Sequence, residues 1–187
     1  MKKITLILII TGLFLFKGET VMAEKQAANS AELSLSIKID KEEQDSINLK
    51  KKELAIKSVL SRYNSPMVEN EKSFIEACTT YDLDCYLLPS IAGLESTFGR
   101  FIWPNSYNPF GWGRGYLMFE SWSESIDAVA KGLRDNYVSK GAENVYKIGS
   151  IYSESPTWAV RVSWFMAEFE KEEEKLSLFS SNFPVKL

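Results

Sequence analysis

The stretch Leu87-Leu88-Pro89-Ser90-Ile91-Ala92-Gly93-Leu94-Glu95-Ser96-Thr97-Phe98-Gly99-Arg100 decides how this chain is read. Leu88, Ile91, Leu94 or Glu95, and Phe98 recur at helical spacing and define a face turned to a core. Pro89 suits the first helical turn, where no amide donor is needed, and Gly99 suits a left-handed stop. Glu95 lies four residues after Ile91 and three before Phe98, on or beside the apolar stripe. A carboxylate in apolar surroundings has its charged form disfavoured, so its pKa is expected to rise. That makes Glu95 a candidate proton donor near neutral pH. The alternative, on position alone, is a solvated helix glutamate, one of 25 acidic residues.

Downstream, residues 99–120 are dominated by Gly, Asn, Pro and aromatics: Phe101, Trp103, Tyr107, Phe110, Trp112, Tyr116 and Phe119. Gly111, Gly113 and Gly115 alternate, but the Gly-Lys-Ser/Thr ending of a phosphate loop is missing. The pattern predicts a tight hairpin with Gly113-Arg114-Gly115 at its tip, pairing Asn108–Trp112 with Tyr116–Phe119. Such aromatics either pack the small lobe or offer platforms to the C–H faces of sugars.

The run Leu94-Glu95-Ser96-Thr97-Phe98-Gly99 followed by Asn108-Pro109-Phe110-Gly111 resembles the lysozyme superfamily. The resemblance is nearest to the glucosaminidases (mannosyl-glycoprotein endo-β-N-acetylglucosaminidase-like) and the lytic transglycosylases, and it covers roughly residues 72–169. It implies a mainly α, lysozyme-like domain with a small β-hairpin lobe, and Glu95 as general acid. It also implies a sugar cleft lined by Ser96, Trp103, Asn108, Phe110 and Trp112, with Asn108 holding an acetamido or hydroxyl group. The segment Tyr152-Ser153-Glu154-Ser155-Pro156-Thr157-Trp158 is similar to a glucosaminidase region whose aromatic residue faces the acid across the cleft. Tyr152 and Trp158 are its candidates here, although Trp158 stands where that family tends to have Tyr. Either residue would equally serve as a core aromatic.

Upstream, Met1-Lys2-Lys3 precedes an almost continuously apolar run from Ile4 to Phe16, and Val21-Met22-Ala23 offers small residues for cleavage. Residues 1–23 therefore read as a secretory signal peptide. The run is short against the ~20 residues of a membrane span, so a membrane enters only if the peptide stays uncleaved. Residues 24–47 contain no aromatic residue and are rich in Glu, Lys, Ala, Ser and Gln, the composition of a flexible tether. The alternation Leu33 to Ile39 is at most a short strand without a partner.

From Leu49 to Tyr63 a helix is predicted, with Leu54, Ile56, Val59, Leu60 and Tyr63 as its apolar set. A second is predicted from about Asn70 to Tyr81, facing inward through Phe74, Ala77, Cys78 and Tyr81. After the lobe, Ser121-Trp122-Ser123-Glu124 is a capping-box signature opening a helix that stops at Gly141. A shorter helix follows through Val145, Tyr146 and Ile148. Ser155 and Pro156 mark the start of the last one, striped by Trp158, Val162, Phe165 and Phe169. The domain is thus expected over residues 48–175, with a loosely held tail over 176–187.

Composition narrows the chemistry. The 187 residues contain no His, which removes Ser-His-Asp and Cys-His mechanisms and His-containing zinc sites. A net charge of −3 with no basic run beyond Lys50-Lys51-Lys52 argues against nucleic-acid binding. Two cysteines, Cys78 and Cys85, are too few for a metal cage, and in an exported chain they read as a disulfide; two buried thiols are the alternative.

Between Ser96 and Phe119 there is no Asp or Glu. A two-carboxylate glycosidase needs a second acid. Either Glu95 works alone, with the substrate's acetamido group or 6-hydroxyl as nucleophile, or Glu120 or Glu154 serves as an inverting base. The reading is a monomeric extracytoplasmic enzyme, secreted or of the cell envelope, that cleaves the β-1,4-linked N-acetylhexosamine strand of peptidoglycan without cofactor or metal. The rivals are a non-catalytic glycan-binding or wall-anchoring module, and a purely structural helical domain.

Overall fold

A computed structural model describes residues 38–182 of the chain. The expected signal peptide, and the expected tether as far as residue 37, lie outside the described residues. The chain divides into two compact units at Ile47/Asn48. Of the first unit, residues 38–47 are described; they are helical and solvent-exposed, with Lys38 and Glu42 3.7 Å apart.

The described residues are mainly helical and contain no strand. In the second unit, helix α1 covers residues 48–62 and is followed by a 3₁₀ turn, Val68–Asn70. Then come α2 (Glu71–Tyr81), α3 (Leu87–Ser96), a 3₁₀ turn at Trp112–Gly115, and α4 (Trp122–Asn136). A 3₁₀ turn at Val138–Lys140, α5 (Val145–Tyr152) and α6 (Trp158–Asn182) complete the order.

In the second unit α3 is the central helix. Leu87, Leu88, Pro89, Ser90, Ile91, Ala92, Gly93 and Ser96 are all buried, so it is covered on nearly every side, as its composition demands. It packs against α6, while α2 packs against α4 and α5 against α6. Pro89 lies in the first turn, where its missing N–H breaks no intrahelical bond. The left-handed stop comes earlier than Gly99: Thr97 (φ 51°), Phe98 (φ 58°) and Gly99 (φ 80°) are left-handed in succession. This turn drives Phe98 back under the helix, where its N–H donates to Ala92 O at 2.9 Å. A Cβ on Gly93 would stand 2.7 Å from the Phe98 ring, so glycine is what lets that ring in. Phe98 then forms the hub of an aromatic core with Tyr63, Phe165 and Phe169, at centroid distances of 4.6, 5.3 and 6.1 Å.

The buried face of α1 is Ala55, Ile56, Val59 and Leu60; Leu54, expected inside, is exposed. α2 buries Phe74, Ala77 and Cys78 and ends at a left-handed Asp82. The turn that follows is closed by the Cys78–Cys85 disulfide, with Cα atoms 4.8 Å apart. Closing so short a loop gives stabilisation at or below the low end of ~2–4 kcal/mol. The capping box of α4 forms with one shift: Ser121 Oγ accepts from Glu124 N–H at 3.1 Å, while Glu124 accepts from the N–H of Glu120, one residue before the cap. The last helix begins at Trp158, two residues beyond the expected Pro156, and continues to Asn182 rather than stopping near Lys175.

The hairpin expected over Asn108–Phe119 is not a hairpin. Gly111 (φ 70°), Gly113 (φ 60°), Arg114 (φ 58°) and Gly115 (φ 83°) coil the backbone into a left-handed turn that leaves no ladder register. The loop folds back through side chains instead. Asn108 Nδ2 donates to Trp112 O at 2.7 Å and to Leu117 O at 3.1 Å, and Phe119 N–H donates to Ser106 O at 2.9 Å.

Candidate active site

The last turn of α3 brings Glu95 to the surface. Glu95 is exposed, so the apolar burial expected for its carboxylate is absent. The reason is the helix's rotation: Ile91, Ala92 and Ser96 take the covered face at this end, and Glu95 points to the open side. Its surroundings are nonetheless specific. Oε1 accepts a 2.7 Å hydrogen bond from the indole N–H of Trp158, the first residue of α6. Oε2 borders Gly111, where an added Cβ would lie 3.4 Å away. A carboxylate with one oxygen held by a fixed indole presents the other in a fixed direction.

Trp158 is itself held rigidly. It is buried and stacks on Tyr152 at 4.8 Å with 28° between the rings. Gly149 of α5 makes room for it, since a Cβ there would lie 2.8 Å from the indole. Tyr152 donates its hydroxyl to Phe110 O at 2.7 Å, tying α5 to the loop that carries Gly111. Desolvation first, then the Glu95 carboxylate, push the Tyr152 phenol well above its ordinary value, against an opposing contribution from the Trp112 side chain. Tyr152 therefore stays protonated across the neutral range and acts as a donor, not a base.

Beyond Gly111 a cleft of about 510 Å³ opens, lined by Gly111, Trp112, Gly113, Arg114, Asn136, Tyr137 and Tyr152. Trp112 forms one wall by lying against α4 at Gly132, where a Cβ would come within 2.0 Å of its ring. Tyr137 and Tyr152 form the other, with ring centroids 6.1 Å apart.

The structure thus brings Glu95, Trp158 and Tyr152 together beside Gly111, and Gly111, Tyr152 and Trp112 are among the residues that line the cleft. The other candidates are placed differently. Ser96 is buried: its hydroxyl lies 3.0 Å from Ala92 O and 2.8 Å from Pro109 O, and accepts from Gly99 N–H at 2.8 Å. Asn108 is also buried, and its Oδ1 accepts from Trp112 N–H at 3.2 Å while its amide donates within the loop. Both hold the loop in shape rather than facing a ligand. Phe110 is a core side chain that contributes its carbonyl. Trp103 is exposed and meets the exposed Tyr116 edge-on at 5.3 Å, outside the cleft lining. Glu120 is exposed and joins the cap of α4. Glu154 is exposed and lines a separate hollow of about 350 Å³ with Tyr146, Ser150 and Ser155.

Sequence reasoning missed Asn136 and Tyr137 as cleft residues, and Gly132 and Gly149 as the seats of two tryptophans. A glycine inside a helical pattern is the signal that was there to follow, because it usually marks a close approach. Among the described residues no group of three or more His, Cys, Asp or Glu side chains is arranged to hold a metal ion, and no helix is long and apolar enough to cross a membrane. No protein-family model matches the chain, and no curated protein matches it.

Proposed function

We propose that the chain is an extracytoplasmic glycosidase or lytic transglycosylase that cuts the β-1,4-linked N-acetylhexosamine strand of peptidoglycan, with Glu95 as general acid and base. The observation that carries this reading is the Glu95–Trp158 pair bordering Gly111, one of the residues that line an aromatic-walled cleft. An exposed carboxylate oriented by a buried indole, with glycine beside its free oxygen, leaves room for a glycosidic oxygen. The disulfide is in keeping with an oxidising compartment outside the cytoplasm.

In the reaction, Glu95 gives its proton to the leaving oxygen as the C1–O bond breaks. The acetamido oxygen or the 6-hydroxyl of the same sugar supplies the electron pair at C1. The Glu95 carboxylate then takes the proton of the 6-hydroxyl, or of the water that opens the acetamido intermediate, and is restored to the acid. Neither Glu120 nor Glu154 belongs to the Glu95 cluster, which favours this single-acid route over an inverting pair.

Digestion of purified peptidoglycan, read by mass spectrometry, tests the proposal. Glu95→Gln is expected to fold as the wild type does and to lose ~10²–10⁴-fold in rate. A variant that keeps most of the activity overturns the assignment. Glycan binding without turnover by the wild type would identify a binding module instead. Products lighter by one water, with no new reducing end, would identify attack by the 6-hydroxyl.

A further inference from the structure

The cleft beside Glu95 carries one cation. Of its lining residues, Arg114 is the charged one, and it stands at the tip of the 3₁₀ turn Trp112–Gly115. Its backbone is left-handed (φ 58°, ψ 30°), between Gly113 at φ 60° and Gly115 at φ 83°. A side chain at such a position carries a conformational cost that glycine does not, and the turn's geometry itself asks for none. Arg62, Arg100 and Arg134 are engaged elsewhere: with Glu168 and Glu172, with Tyr63 O and the Phe101 ring, and with Asp82; Arg161 is exposed on α6 and does not line the cleft. Arg114 has no acidic partner among the described residues. It is exposed, with the guanidinium's donors free for a ligand.

The walls supply the second half of the argument. Trp112 on one side and Tyr137 with Tyr152 on the other present ring surfaces, the environment that takes the C–H face of a sugar. Gly111, on the cleft lining, borders Glu95 Oε2, which lies 3.4 Å from where a Cβ on that glycine would stand. A sugar in the cleft therefore lies next to the reacting linkage, with any acidic substituent drawn toward Arg114 and away from the Glu95 carboxylate. A planar guanidinium matches a carboxylate in two parallel hydrogen bonds, which adds direction to the attraction.

We propose that this cleft is a carboxylate-selecting subsite: its aromatic walls take a hexosamine ring, and Arg114 pairs with a carboxylate carried by that ring or by its peptide branch. The inference rests on the glycan-cleaving reading above and adds the property that selects among glycans, acidic strands over neutral ones. Arg114 is a specificity residue; it moves no proton.

Three strand preparations test this. The first is peptide-free glycan with its lactyl carboxylates intact, the second is the same glycan with those carboxylates reduced to alcohols, and the third carries its peptides. Binding is read by tryptophan fluorescence in a Glu95→Gln background, which separates it from turnover. Cleavage is read with Glu95 in place. The Arg114-bearing protein is expected to prefer the first strand to the second about tenfold, and Arg114→Gln to bring that ratio close to one. Arg114→Lys should restore part of it, since the charge returns without the fork. If the preference and its loss appear with the third strand and not the first, the carboxylate belongs to the peptide. A ratio that Arg114→Gln leaves unchanged, or the absence of binding to any strand, overturns the subsite. If the wild type binds as described yet cleaves no strand, the catalytic reading falls and the subsite stands.

Discussion

Glu95 and Trp158 are 63 residues apart in sequence and 2.7 Å apart in space, and the consequence can be tested at a single atom. Trp158→Phe removes the indole N–H but keeps an aromatic ring over Tyr152. If the hydrogen bond aims the carboxylate, kcat should fall about tenfold or more while KM changes little, because positioning counts most where bonds are being made. An unchanged kcat would show that the bond only fills the donor. Some stability will also be lost, since a buried indole is replaced by a smaller ring. The singularity of Glu95 was legible because it interrupts an apolar run. Its exposure was not, because three and four residues of offset from Phe98 and Ile91 leave the helix's rotation free by half a turn's width. Asn108 shows the reverse failure: its residue type and loop position invite a ligand, but only the fold reveals that its amide is consumed by Trp112 and Leu117.

At the scale of elements, two helical glycines separate the site from the scaffold. Gly132 of α4 is partly exposed, and the three atoms nearest to an added Cβ all belong to the Trp112 ring. Gly132→Ala would place a Cβ 2.0 Å from that ring, so Trp112 must leave the helix surface. The helix itself gains up to ~1 kcal/mol of propensity, which offsets part of the disruption. The expected outcome is a red-shifted Trp112 emission and weaker glycan binding, with melting temperature nearly unchanged. Gly149 of α5 is buried and meets both Trp158 and Ala159. Gly149→Ala should therefore cost about 1–3 kcal/mol of stability as overpacking, together with activity. Equal melting losses for the two variants would show that Trp112 belongs to the core and not to a cleft wall. The helices around these glycines were legible from periodicity and caps. The loop at 99–121 was not, because alternating glycines and aromatics read as a hairpin, whereas four left-handed residues close together coil the chain instead of pairing it.

In the second unit, α1 and α6 are joined by polar pairs that gather on Glu168, Glu172 and Glu173 of α6. Lys52 and Glu173 are 3.0 Å apart, Arg62 and Glu172 2.8 Å, and Ser58 donates to Glu172 at 2.9 Å. Two tyrosines complete the clasp: Tyr63 donates to Glu168 and Tyr86 to Glu173, each at 2.7 Å. Desolvation first, and then the carboxylate that accepts its proton, push the Tyr63 phenol from its ordinary value up to about 12, and Tyr86 moves the same way for the same reasons. The sign follows from proton uptake. Between the unfolded value near 10 and the folded value near 12, the folded state holds a proton that the unfolded state has released. The stability due to this pair is fully present below pH 10 and is lost as pH rises toward 12. Urea midpoints measured from pH 8 to 12 should therefore fall steeply above pH 10, and Tyr63→Phe should flatten the fall while lowering the midpoint at pH 8. A Tyr63→Phe profile parallel to the wild type would place the alkaline loss elsewhere, in the lysines of the clasp or in Tyr86.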